Sequence, residues 1–159
     1  MSKHPSEKLA VIFYRLNRNY QYLMALRLKP YNITPEQWNV LKHLQEQDGL
    51  TQKDLTYMAD KDKTTVTRMI ESLVERGTVT KEVNSEDRRS YRIFLTEEGK
   101  ELIRQVQPIP DRVNWEVCSG LSDEQILQLK ETLDVLQEQI LTEIEHYSLQ
   151  RGNITHAFN

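Results

Sequence analysis

Arg88 and Arg89 follow Asp87 at the end of a turn-forming run, Asn84-Ser85-Glu86-Asp87, that joins two segments of strand character. Guanidinium groups at a hairpin tip are planar, permanently charged donors, and they suit the narrow, electronegative groove of a nucleic-acid duplex. Earlier in the chain, Lys63, Thr64, Thr65, Thr67 and Arg68 stand at the start of a predicted helix. Hydroxyls and an arginine fork hydrogen-bond base edges, and a lysine there meets phosphate. Phosphate repels Asp87, so its expected use is to hold a neighbouring arginine by a charge-assisted bond. This is the chemistry of recognising a polyanion. Catalysis is not expected: His4, His43, His146 and His156 are scattered, with no His-x3-His, paired acidic motif or nucleophile elbow. Nothing calls for a metal or cofactor.

The elements that must carry these residues follow from apolar periodicity. Leu9, Ile12, Phe13, Leu16, Tyr20, Leu23 and Met24 recur at helical steps until Pro30 forbids continuation. Thr34-Pro35-Glu36-Gln37 reads as a helix start, with Thr34 as cap, Pro35 at the first position and Gln37 reaching back. Trp38, Leu41 and Leu44 give that helix its apolar side, and Asp48-Gly49 ends it. Thr51 to Asp54 caps a third helix, and a polar turn around residues 60–62 leads to a fourth with Val66, Met69, Ile70 and Leu73 inward, stopped at Gly77. Val79 to Val83 and Tyr91, Ile93 and Leu95 alternate at strand period, so the two short helices are followed at once by a hairpin. This is a helix-turn-helix with a wing.

After the hairpin, Thr96 caps a helix whose first turn holds Glu97 and Glu98. Pro108 and Pro110 predict a break near residues 106–110, and Ser122 to Gln125 opens the last helix with a capping box. Ile126, Leu129, Leu133, Leu136, Ile140, Ile144 and Tyr147 then follow nearly a seven-residue repeat. Such a stripe exceeds what a small winged core covers, so the terminal helices are expected to pack on each other and on a second subunit. The fold class is mainly α with a β-hairpin wing. The expected organisation is a dimerisation helix over 1–33, a winged helix-turn-helix over 34–98, C-terminal dimerisation helices over 99–148, and a flexible tail over 149–159.

The 159 residues are 38% hydrophobic and carry a net charge of −3, which argues against indiscriminate affinity for nucleic acid. The charge is uneven: residues 1–34 hold six basic residues against one acidic, and residues 97–159 hold five against twelve. No apolar run approaches the ~20 residues of a membrane span. The start, Met1-Ser2-Lys3-His4-Pro5, lacks the apolar core of a signal peptide, so a cytoplasmic location is expected. The single Cys118 excludes an internal disulfide or a CxxC site. Asn153-Ile154-Thr155 is a chance sequon.

The run Leu50-Thr51-Gln52-Lys53-Asp54-Leu55 through Asp62-Lys63-Thr64-Thr65-Val66-Thr67-Arg68, followed by Asp87-x-Arg89 and Leu95-Thr96, resembles the MarR family of bacterial transcription regulators. The likeness extends over nearly the whole chain. It implies a homodimer on a pseudo-palindromic operator in double-stranded DNA, usually repression, and release by a small aromatic or phenolic ligand or an oxidant. Thr64, Thr65, Thr67, Arg68, Asp87 and Arg89 match the family's DNA-contacting parts, to which position alone adds Lys63 and Arg88. The family's inducer crevice lies between dimerisation helices and winged domain. There Tyr14, Arg15, Arg18, Trp38 and Trp115 are the candidates for aromatic walls and a cationic anchor for an anionic inducer. The peroxide-sensing branch carries its cysteine near the start of the first helix, where this chain has none. Cys118 is expected to be a small buried hydrophobe. The alternative function, a winged-helix module that binds protein, calls for an apolar recognition-helix face. Lys63, Thr64, Thr67 and Arg68 make that face polar.

Overall fold

In a computed structural model the protein is described over residues 8–59 and 61–150. The chain divides into two compact units, the first ending at Asp111 and the second beginning at Arg112. The sequon and most of the expected tail lie outside the described residues.

The first unit begins with α1, Leu9–Leu28, which passes into a tight 3-10 turn at Lys29–Tyr31. Pro30 is accommodated in that turn, where its missing N–H costs no helical bond, and Asn32 reverses the chain at φ 55°. Only Met24 and Leu28 of α1 are buried, while Val11, Ile12, Tyr14, Leu16, Tyr22 and Leu26 are exposed. The helix α2, Pro35–Glu46, opens with the anticipated capping box: Gln37 N–H donates to Thr34 Oγ1 at 3.2 Å and Thr34 N–H to Gln37 Oε1 at 3.0 Å. Trp38, Val40, Leu41 and Leu44 on α2 join Leu55, Val66, Ile70 and Leu73 in the core.

The pair α3, Gln52–Ala59, and α4, Lys63–Glu75, forms the helix-turn-helix. Gly77, at φ 69°, is the left-handed residue that ends α4. The far end of α4 is tied to the corner after α1. Arg76 donates to the carbonyl oxygens of Tyr31, at 2.9 Å, and of Asn32, and Gln37 Nε2 donates to Ser72 Oγ at 3.1 Å.

The sheet has one strand more than the hairpin predicted from sequence. The two-residue strand β1, Leu50–Thr51, pairs antiparallel with β3, Tyr91–Leu95, which pairs on its other side with β2, Val79–Val83. In the hairpin Val79 faces Leu95, Lys81 faces Ile93 and Val83 faces Tyr91. The apolar alternation holds only at its base: Val79 and Ile93 are buried, whereas Val83 and Tyr91 are exposed. The outer half of the wing therefore stands clear of the core.

Thr96 caps α5, Glu97–Val106, by accepting the Gly99 N–H at 3.1 Å. The helix breaks at Gln107 and restarts as α6, Pro108–Cys118, as the two prolines require. In the second unit α7, Asp123–Gln150, begins at the predicted box, with Gln125 N–H donating to Ser122 Oγ and Ser122 N–H to Gln125 Oε1. It runs two residues past the expected limit of 148. None of its described side chains is fully buried, and Leu129, Leu133, Ile140, Ile144 and Tyr147 are all exposed. Cys118 is half-buried, so the expectation of a fully buried cysteine is corrected. Its place at the C-terminal end of α6 leaves it only partly covered. No described helix is long and apolar enough to cross a membrane.

Candidate nucleic-acid interface

Asp62 caps α4: its Oδ1 accepts the Thr65 N–H at 3.0 Å and its Oδ2 accepts the Thr65 hydroxyl at 2.6 Å. Those bonds, the hydroxyl's first, hold the Asp62 carboxyl below its ordinary pKa. Thr65 thus serves the helix start. The Thr67 hydroxyl is also engaged, donating to the Lys63 carbonyl at 2.7 Å and accepting from Gln52 Nε2 across the turn. Lys63, Thr64 and Arg68 are exposed, and their side chains have no hydrogen-bond partner among the described residues. The structure divides the five recognition-helix candidates into three with unengaged donors and two with occupied hydroxyls.

The wing loop is built on Asn84, a buried polar residue. Its N–H and Nδ2 donate to the Ser90 carbonyl and hydroxyl, and its Oδ1 accepts the Glu86 N–H at 3.1 Å. Arg92 closes the loop from below. Its Nε donates to Asn84 Oδ1, its Nη2 to Glu86 Oε2 at 3.3 Å, and its Nη1 to the Gly49 carbonyl. Arg92 is a functional residue that the sequence motifs above do not single out. The available signal was its place one residue inside the return strand, facing Glu82 on the strand that runs into Asn84.

The expected bond from Asp87 to an arginine side chain is replaced by a local one. Asp87 Oδ1 accepts the backbone N–H of Arg89 at 3.0 Å, and the Asp87 carbonyl accepts the Ser90 N–H at 2.9 Å. A short carboxylate reaches a backbone two residues on more readily than a guanidinium. Asp87 therefore shapes the tip. Arg88 and Arg89 are exposed, and their guanidiniums are unpaired among the described residues.

Of the inducer candidates, Tyr14, Arg15, Arg18 and Trp115 are exposed on α1 and α6. Trp38 is 4% exposed and belongs to the core of the first unit. Its large apolar ring fills the space beneath α2. No cluster able to hold a metal ion occurs among the described residues.

Three helices with a turn between the last two, followed by an antiparallel wing, define a winged helix-turn-helix. The chain belongs to the MarR family of transcription regulators. The family model described as MarR family matches residues 33–91. A MarR transcriptional regulator from Methanosarcina mazei is 32% identical, with a TM-score of 0.75 over 86% of this chain and 98% of that one. Also similar are S. aureus MepR in a DNA complex, at 26% identity, TM-score 0.75, 82% of this chain and 96% of that one, and a mutant E. coli MarR complexed with operator DNA, at 25% identity, TM-score 0.75, 85% and 99%. The family and fold are those of transcription regulators, not of enzymes.

Proposed function

We propose that this protein is a transcriptional repressor that binds a pseudo-palindromic operator as a homodimer. In this reading α4 enters the major groove, with Arg68 and Thr64 at base edges and Lys63 at phosphate. The wing lays Arg89 in the adjacent minor groove, with Arg88 on the backbone. Thr65, Thr67 and Asp87 shape the reading surface from behind it. The carrying observation is the set of unengaged donors, Lys63, Thr64, Arg68, Arg88 and Arg89, gathered on one unit.

Dimerisation through the terminal helices is supported by the apolar residues of α1 and α7 that the single chain leaves exposed. Two-fold symmetry sets the half-sites about 10 bp apart. A small aromatic or anionic inducer acts by preferring a spacing of the recognition helices that does not match the operator. MepR and the mutant E. coli MarR are seen in complex with DNA, which supports duplex DNA as the ligand here. Selection of bound sequences from a random duplex pool tests the reading. A palindromic consensus is expected, and recovery of unenriched DNA overturns it.

A further inference from the structure

A concavity of about 320 Å³ opens between α3, the start of α4 and the return strand of the wing, lined by Thr51, Gln52, Lys53, Thr56, Lys63, Arg89, Ser90 and Tyr91. Three cations from three separate elements share it, and its lining contains no carboxylate. The nearby Asp54 is occupied, its Oδ2 accepting the Thr51 N–H at 2.9 Å and the Thr51 hydroxyl at 2.6 Å. Most hydroxyls of the lining are engaged as donors: Thr51 to Asp54, Thr56 to the Gln52 carbonyl at 2.7 Å, and Ser90 to the Asp87 carbonyl at 3.0 Å. Lys53 lies in the field of the adjacent Asp54 carboxylate, but none of Lys53, Lys63, Arg89 and the Tyr91 hydroxyl has a hydrogen-bond or ion-pair partner among the described residues. Asp54 offsets part of the charge of Lys53, but the three cations still repel one another across the concavity, and an anion seated among them removes that repulsion.

We propose that this concavity seats a backbone phosphate of the bound duplex, held by Lys53 and Lys63 with a hydrogen bond from the Tyr91 hydroxyl, while Arg89 at its rim reaches on into the minor groove. The inference rests on the DNA-binding reading above and adds Lys53 and Tyr91 to it. The first helix of a helix-turn-helix crosses the DNA backbone, which brings Lys53 on α3 to the strand that the wing also meets. One phosphate then links the major-groove reader to the wing and fixes the register between them.

Lys53→Gln tests the seat, because an exposed lysine is replaced without touching the core. Affinity is expected to fall several-fold, by the same factor on operator and on unrelated duplex, and the slope of log affinity against log salt to flatten by about 0.9. Tyr91→Phe is expected to weaken binding with the slope unchanged, because it removes a donor and no charge. Scanning single neutral methylphosphonates along the operator identifies the phosphate, since at one position per half-site the Lys53→Gln penalty disappears. Unchanged affinity and slope for Lys53→Gln overturn the seat, as does a loss confined to the operator sequence. Failure of the unsubstituted chain to bind duplex DNA overturns the regulator reading as well, whereas tight binding with an inert Lys53→Gln overturns the seat alone.

Discussion

Arg92 Nη1 donates to the carbonyl oxygen of Gly49 at 3.2 Å, joining the base of the wing to the turn that precedes β1. The same guanidinium holds Asn84 and Glu86, so one side chain sets the angle at which the loop leaves the sheet. Arg92→Ala is expected to cost about 1 kcal/mol of stability, because the pair with Glu86 is largely exposed and the bonds to Asn84 and Gly49 are long ones at 3.2 Å. Its larger effect falls on DNA. Operator affinity measured in a double-mutant cycle should drop about tenfold in Arg92→Ala, drop in Arg89→Ala, and fall little further when the two are combined. Additive losses would show that Arg92 does not act through the wing tip.

The division of the recognition-helix threonines predicts two kinds of phenotype. Thr65→Ala removes a capping partner and should lower the melting temperature while leaving the preferred sequence unchanged. Arg68→Ala should leave melting unchanged and relax the preference at one base pair per half-site by about 1–3 kcal/mol, read by competition between operator variants. A parallel fall on operator and scrambled DNA would make Arg68 a phosphate contact instead.

Gly99 lies at the third position of α5, where an added Cβ would sit 2.0 Å from the Thr78 carbonyl oxygen. That oxygen also accepts the Thr96 N–H, so the backbone there has little freedom to retreat. Gly99→Ala is expected to destabilise the winged unit by about 1–3 kcal/mol, measured by denaturant unfolding. A neutral substitution would mean that α5 is free to shift away from the sheet.

Acid should loosen the two caps that frame the turn. Hydrogen bonds, led by those from the Thr51 and Thr65 hydroxyls, hold the Asp54 and Asp62 carboxyls below their ordinary value of 3.8. A depressed folded pKa contributes stability that is complete above the unfolded value and is lost as pH falls through the folded one. The contribution therefore persists to about pH 4 and disappears below it. Thermal unfolding of Asp54→Asn with Asp62→Asn, compared with the parent from about pH 6 to about pH 2, should show a shallower decline at the acid end.

Much of the frame was legible because its signals are local. The capping boxes at Thr34 and Ser122, the stop at Gly77 and the break before Pro108 each involve residues within a few positions of one another. The strand β1 was not legible, since two residues carry no period and its pairing partner Ile93 lies far along the chain. The same limit applied to the site. Residue type identified Lys63, Arg68 and Arg89, but only the fold shows the Thr67 hydroxyl bonded to Gln52, Asp87 turned to a backbone N–H, and Arg92 anchored on Gly49. The burial of Trp38 was not legible, because an aromatic at helical spacing looks the same whether it lines a pocket or fills a core.

For assembly, Leu133→Glu with Ile140→Glu places charge within the exposed stripe of α7. Light scattering should show the parent as a dimer at micromolar concentration and the variant shifted toward monomer, with operator affinity falling alongside. A stable monomeric parent would remove the dimer from the proposal.

The bonds from Arg76 to the carbonyls of Tyr31 and Asn32, with Gln37 on Ser72, clamp the trailing end of α4 to the corner where α1 meets α2. The clamp makes α4 a lever arm with its fulcrum at that corner and its working end at Lys63 and Arg68. A small tilt at the foot of α1 is passed to the far end of the arm enlarged by the helix's own length. Sensitivity to a distant signal is then set by mechanical advantage, so loosening the fulcrum with Arg76→Ala should leave DNA affinity nearly intact while blunting any response that originates in α1.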